Sequence, residues 1–211
     1  MTQRSPHTLY GYWNELRAGR IAPRRLEVEP SRIAGILAET FMLEHVNADT
    51  YPYRLAGTRL CELFGAELRA TNFLTGWQDA DHALLARGLG LLCDAGAVIT
   101  LEIEVTVATR HVLEFDAILL PLLHVGNTVT RVIGAMSLLS PTPMLDGGRP
   151  LQRRLRRHEV IWPDSRPDGV LERAATRAHS EATHAQSSAR GPRPQLRVLD
   201  GGRSNWKPGP R

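Results

Sequence analysis

Ala97-Val98-Ile99-Thr100-Leu101-Glu102-Ile103-Glu104-Val105-Thr106-Val107 is apolar at every odd position, with Thr100, Glu102, Glu104 and Thr106 among the even ones. Side chains of a strand point alternately to its two faces, so this run describes a strand with one buried and one wet face. Toward the C-terminus, His111–Leu123 begins in the same alternation (Leu113, Phe115 and Ala117 against Glu114 and Asp116) and then turns apolar on both faces. Gly126-Asn127 is a two-residue hairpin signal, and Thr128–Leu139 reads as the third strand of a meander. Toward the N-terminus, Asp79 suits an N-cap for a helix running to about Asp94, with Leu85, Leu89 and Leu92 on one face. Gly88 and Gly90 each cost such a helix about 1 kcal/mol relative to alanine. They point to a tight packing contact or to a helix held by its neighbours.

Further upstream, Arg59–Phe64 reads as a helical turn closed by Gly65. Two strands, Phe41–Val46 and Tyr51–Ala56, flank the turn Asn47-Ala48-Asp49-Thr50. A short helix starts at Pro30 or Ser31 and buries Ile33, Ile36 and Leu37, and a basic turn spans Arg20 to Arg25. The first helix covers about Thr8–Ala18, with Leu9, Trp13 and Leu16 at helical spacing. The sum is an α+β fold with a five-stranded antiparallel sheet and helices on one face. The boundaries follow: an N-terminal helical segment over 1–39, the sheet domain over 40–140 and a tail over 141–211. The tail holds 9 Pro, 7 Gly and 13 Arg with few large apolar residues, so most of it is expected to be disordered. Within it, Pro150–Trp162 reads as an Arg-rich helix with Leu151 and Leu155 on one side, and Val170–Arg190 is alanine-rich.

The net charge of +4 hides a split: residues 1–145 carry −3 and residues 146–211 carry +7, so the basicity belongs to the tail. Two cysteines, Cys61 and Cys93, make no disulfide framework and suit a reducing compartment. The N-terminus lacks an apolar signal core, and no stretch reaches the roughly 18 apolar residues of a membrane span. The expectation is a cytoplasmic protein.

The element order is that of a PAS domain. The likeness extends to particular residues: Tyr12-Trp13-Asn14-Glu15-Leu16-Arg17-Ala18-Gly19-Arg20, Pro23-Arg24-Arg25 and Pro30. A second block, Tyr53-Arg54-Leu55-Ala56-Gly57-Thr58-Arg59-Leu60-Cys61-Glu62-Leu63-Phe64-Gly65-Ala66-Glu67-Leu68 followed by Asn72-Phe73, is more specific. Together they resemble a bacterial PAS group long catalogued as a domain of unknown function, over about residues 10–140. Ala70 departs from the pattern, which has glycine there, and the departure bears on the local turn. The resemblance implies a sensor or interaction module and supplies neither ligand nor reaction.

In a PAS fold the Leu85/Leu89 helix face overlooks the ligand cavity, so His82, Leu85, Leu89 and Cys93 are the candidate ligand-binding residues. Some haem-binding PAS domains take a histidine from this helix, which makes His82 the residue to watch; the bland reading is a solvated first-turn histidine. The cofactor is left unknown. Cys61 and Cys93 lack the polar Asn-Cys-Arg-Phe-like context of light-sensing relatives and read as small core hydrophobes. No Cys-x-x-Cys or His-x-x-x-His pair and no nucleotide-binding, metalloprotease or serine-hydrolase motif is present in the sequence. Glu102, Glu104, Glu114 and Asp116 lie on the solvent face by alternation, so the expectation is not an enzyme.

Function is expected to run through contacts with a regulatory protein partner, open to tuning by a small ligand. The first alternative is a haem or other small-molecule sensor. The second is binding of nucleic acid or an anionic surface by Arg149, Arg153, Arg154, Arg156 and Arg157; without interleaved aromatics, nucleic acid is disfavoured. Leu9, Trp13 and Leu16 form an apolar stripe expected to supply a homodimer contact, with packing on the chain's own sheet as the rival reading.

Overall fold

The computed structural model describes residues 5–107, 111–139 and 152–164. In chain order the elements are helix α1 (Ser5–Arg17), a 3-10 turn (Arg25–Glu27), a 3-10 run (Pro30–Glu39), strands β1 (Thr40–Glu44) and β2 (Tyr53–Ala56), and helices α2 (Thr58–Phe64) and α3 (Asp79–Ala95). Strands β3 (Val98–Val107), β4 (His111–Val125), β5 (Thr128–Leu138) and β6 (Gln152–Ile161) follow. They build one sheet in the order β2-β1-β5-β4-β3-β6, every pairing antiparallel.

The alternation of β3 sets the two faces. Leu101 pairs with Ala117, Ile103 with Phe115 and Val105 with Leu113, all of them buried. Glu102 pairs with Asp116 and Glu104 with Glu114 on the opposite face. The buried face receives α2 and α3: the Phe64 ring stacks on Phe115, and a Cβ added to Gly88 would lie 3.3 Å from Ile99 Cδ1. Gly88 is thus the glycine that lets α3 sit directly on the sheet, whereas a Cβ at Gly90 would meet nothing. Gln78, not Asp79, occupies the N-cap position, and Asp79 and Asp81 lie in the first turn, where the helix dipole favours them.

Helix α1 lies on the other face. The Ser5 backbone N–H donates to Ser137 Oγ, and Ser137 pairs with Asp116, so α1 covers the even-numbered side of β4. There Ile118 pairs with Ala135 and Leu120 with Ile133, all four buried. The expected dimer stripe is therefore used within the chain. Leu9 is 0% and Trp13 1% exposed, and the Trp13 indole N–H donates to the Pro121 carbonyl at 2.8 Å. Leu16 packs half-buried beside them. Acidic and Thr residues dominate that face only at the β3 end; toward Leu120 it is apolar.

The tail supplies the second correction. Residues 152–161 form a sixth strand instead of a helix, antiparallel to β3, from Val98↔Ile161 to Thr106↔Gln152. The rest of the tail, including Val170–Arg190 and Arg149, lies outside the described residues. Leu155 pairs with Ile103 on the buried face, and Arg154 and Arg157 pair with Glu104 and Glu102 on the acidic one. A bulge opposite Glu102/Ile103 inserts Arg156, so two consecutive arginines reach the acidic face.

At the turn after α2, the Ala70 amide donates to Tyr53 O at 2.8 Å while its φ is +67°. This is the left-handed region that glycine adopts freely and alanine does not. Ala70→Gly is accordingly expected to stabilise the fold by about 1 kcal/mol, read as a higher urea midpoint with an unchanged slope.

Candidate functional site

A cluster of aromatic side chains in mutual contact lies in the region between α2, α3 and the sheet. Phe41 meets Tyr53 edge-on (5.7 Å between centroids) and stacks with Phe73 (6.1 Å), and Phe73 contacts Trp77 (6.0 Å). Asn72, in the second sequence block, places Phe73 here: its Oδ1 accepts from the Tyr51 and Leu74 amides, and its amide group donates to Asp49 O. Gly134 makes room for Phe41, since a Cβ there would fall 2.3 Å from the ring. Burial pushes the Tyr53 phenol up, with Arg153 pulling the other way. Burial, then the neighbouring Cys93 thiol, raises Tyr51, whose ring stacks on His45 at 5.1 Å.

The expected ligand residues divide here. Leu85 and Leu89 are buried core positions, 2% and 0% exposed, and Cys93 is buried beside Tyr51. His82 is half-buried in the second turn of α3 and takes part in none of the ring contacts among the described residues. At Gly88 the helix sits close on β3, where a Cβ would lie 3.3 Å from Ile99 Cδ1. No group of three or more His, Cys, Asp or Glu among the described residues is arranged to hold a metal ion. A separate cleft of about 390 Å³ is lined by Arg24, Arg25, Leu26, Leu123 and His124, and none of the expected ligand residues borders it.

Strand β6 closes the β3 side of the aromatic region. The Arg153 guanidinium lies 5.1 Å from the Phe64 ring centre and donates to Phe73 O. The Arg153 amide donates to Gly76 O at 3.0 Å, and the Leu155 amide donates to Asp81 Oδ2 at 2.9 Å. These bonds tie the strand to the 73–81 segment and the start of α3. On the opposite face the like-charged pair Glu104/Glu114 is bridged by Arg156, at 3.1 and 3.2 Å, and Arg157 lies 3.8 Å from Glu102. Carboxylates directly across a strand pair repel, and the arginines relieve that repulsion.

A model of the PAS domain family matches residues 1–137. The chain belongs to this family. Its PAS domain is a signalling or sensor module, and the match takes in α1 as well as the first five strands. Strand β6 lies beyond it. Comparisons with curated proteins and with solved structures found no match. Among the described residues, no helix of the PAS protein is long and apolar enough to cross a membrane.

Sequence reasoning missed Arg17 and Asp164. The Arg17 guanidinium, buried against the Trp13 ring, binds Asp164 through both of its terminal nitrogens and so fastens the segment just after β6 to α1. The only sequence signal was Arg17 within the first PAS block. Hydrogen bonding from Arg17 holds the Asp164 carboxyl below its ordinary value. A carboxyl lowered on folding contributes above its unfolded pKa and loses that contribution as pH falls through its folded one. The Arg17–Asp164 tie is therefore expected to persist at neutral pH and open below the ordinary aspartate range. Paired NMR titration of the terminal guanidinium N–H groups of Arg17 and the Asp164 carboxyl checks this, and Asp164→Asn should abolish the Arg17 response.

Proposed function

We propose that this PAS protein is a non-enzymatic interaction module of cytoplasmic signalling that acts by contacting a regulatory protein. The single observation carrying this reading is the aromatic cluster packed beneath the helices. Phe41, Tyr53, Phe73 and Trp77 occupy the region between helices and sheet, and Gly88 seats α3 on Ile99. What the domain offers to its surroundings is a surface, patterned in charge along β3 and β6. Phosphate binding by the basic segment is the weaker reading, because Arg156 and Arg157 already engage carboxylates of the same chain.

Affinity capture with the full chain, followed by reconstitution with the purified captured protein, tests the proposal. A complex that forms without added cofactor is the expected result. Stoichiometric visible absorbance co-purifying with the chain, and lost in His82→Ala, would instead establish a cofactor sensor.

A further inference from the structure

Ten residues of β3 would form an exposed sheet edge if the chain stopped where the PAS family match stops, at residue 137. Such an edge presents a row of unpaired N–H and C=O groups, a template onto which an extended segment adds as a further strand. Its two faces are chemically distinct. One shows Leu101, Ile103 and Val105; the other shows Glu102 and Glu104, backed by Asp116 and Glu114 on β4. The second face sets Glu104 against Glu114 and Glu102 against Asp116, so it calls for cations from whatever strand lies beside it.

Strand β6 meets that demand with Arg156 and Arg157, and beyond its ladder and the Arg153, Leu155 and Asp164 bonds it buries little of its own surface. None of its ten residues is buried; Arg153, Leu155, Val160 and Ile161 are half-buried and the others are exposed. Exposed ion pairs contribute little individually, and segments with few buried apolar contacts open before the rest of a fold. The residues of β3 that face the core, by contrast, are fully buried: Leu101, Ile103 and Val105 are at most 2% exposed.

We propose that the β3 edge is a strand-addition site for an extended, arginine-paired segment of a partner protein, and that β6 is its built-in competitor. The occupant fitting this edge carries two neighbouring cations toward Glu102, Glu104 and Glu114 and an apolar residue at the place of Leu155. The inference rests on reading the domain as an interaction module and adds where the partner binds and what holds it off.

A fluorescent peptide with the sequence of residues 150–164, titrated against the full chain, supplies the test. Arg156→Glu/Arg157→Glu in the chain sets its own β6 against the acidic face. The peptide should bind this variant about tenfold more tightly than the wild-type chain, and a scrambled peptide should bind neither. Thr106→Cys/Gln152→Cys joins two register partners, and the oxidised form should lose peptide binding until reduced. Native-state hydrogen exchange on the wild-type chain avoids any question of variant folding. Amides of β6, and β3 amides directed at β6, should exchange about a hundredfold faster than β3 amides directed at β4. Equal peptide binding by all forms, or exchange of β6 only with global unfolding, overturns the proposal. So does a concentration-dependent dimer formed by exchanging β6, because a second copy would then be the occupant. A captured partner that binds the oxidised chain undiminished overturns this inference while leaving the interaction reading intact.

Discussion

Replacing Trp13 with alanine is expected to destabilise the protein by about 3–5 kcal/mol, the range for removing a fully buried large aromatic. Three losses add at this position. The indole leaves a cavity over β4 and β5, the Pro121 carbonyl loses its 2.8 Å donor, and Arg17 loses the ring 5.4 Å beneath its guanidinium. The last loss also loosens the Asp164 tie. Trp13→Phe keeps a ring without the donor, so its expected cost is smaller, roughly 1–3 kcal/mol for the carbonyl left unpaired plus partial loss of volume. Urea denaturation followed by circular dichroism measures both, and Trp13→Ala should lower Tm on the order of 10 °C. Trp13→Glu is expected to unfold the domain, the outcome that separates an internal helix from a dimer contact. A folded, monomeric Trp13→Glu protein would contradict the intramolecular assignment.

Gly57→Ala is the second large effect. Gly57 ends β2 just before α2, and its amide donates to Thr40 O at 2.8 Å, which brings its backbone against the end of the 3-10 run. A Cβ there would lie 2.3 Å from Ala38 O, 2.4 Å from Ala38 C and 2.4 Å from Leu37 O. All three are backbone atoms, so no side-chain rotation relieves the overlap. Either the 3-10 run or the start of α2 has to move. The expected cost is about 3 kcal/mol or more, at the upper end for overpacking. Gly11→Ala is the matched control. A Cβ at Gly11 meets nothing within 4 Å, and alanine in an exposed helix interior should stabilise by about 0.4–1 kcal/mol. A common loss in both variants would refute the packing argument.

The local code is legible wherever a segment's own pattern matches its environment. The odd-position apolar residues of 97–107 foretell the buried face of β3, and Gly126-Asn127 foretells the hairpin between β4 and β5. Gly65 closes α2 with a φ of +60°, as its position suggested. The glycine pattern broken at Ala70 marks a backbone that does adopt positive φ. Of the candidate ligand residues, Leu85, Leu89 and Cys93 fall on the inward side of α3, because helical spacing alone decides which residues share a face.

Two features depend on partners far away in the sequence, and these only the tertiary structure decided. The placement of α1 rests on Ile118, Leu120, Ile133 and Ala135, a patch assembled from two strands more than 100 residues downstream. The hint was a β4 apolar on both sides, since a strand buried on both faces needs cover on both. Strand β6 is harder to foresee. Leu151 and Leu155 stand four apart and suit a helix, while five arginines and few apolar residues read as a solvated tail. It becomes a strand because β3 offers an open edge and a row of carboxylates some fifty residues earlier. Strand propensity is set by such neighbours more than by the segment itself. Periodicity thus determined which residues of each element face the core; the sheet's sixth strand and the burial of Trp13 came from the meeting of surfaces that no single stretch of the chain contains.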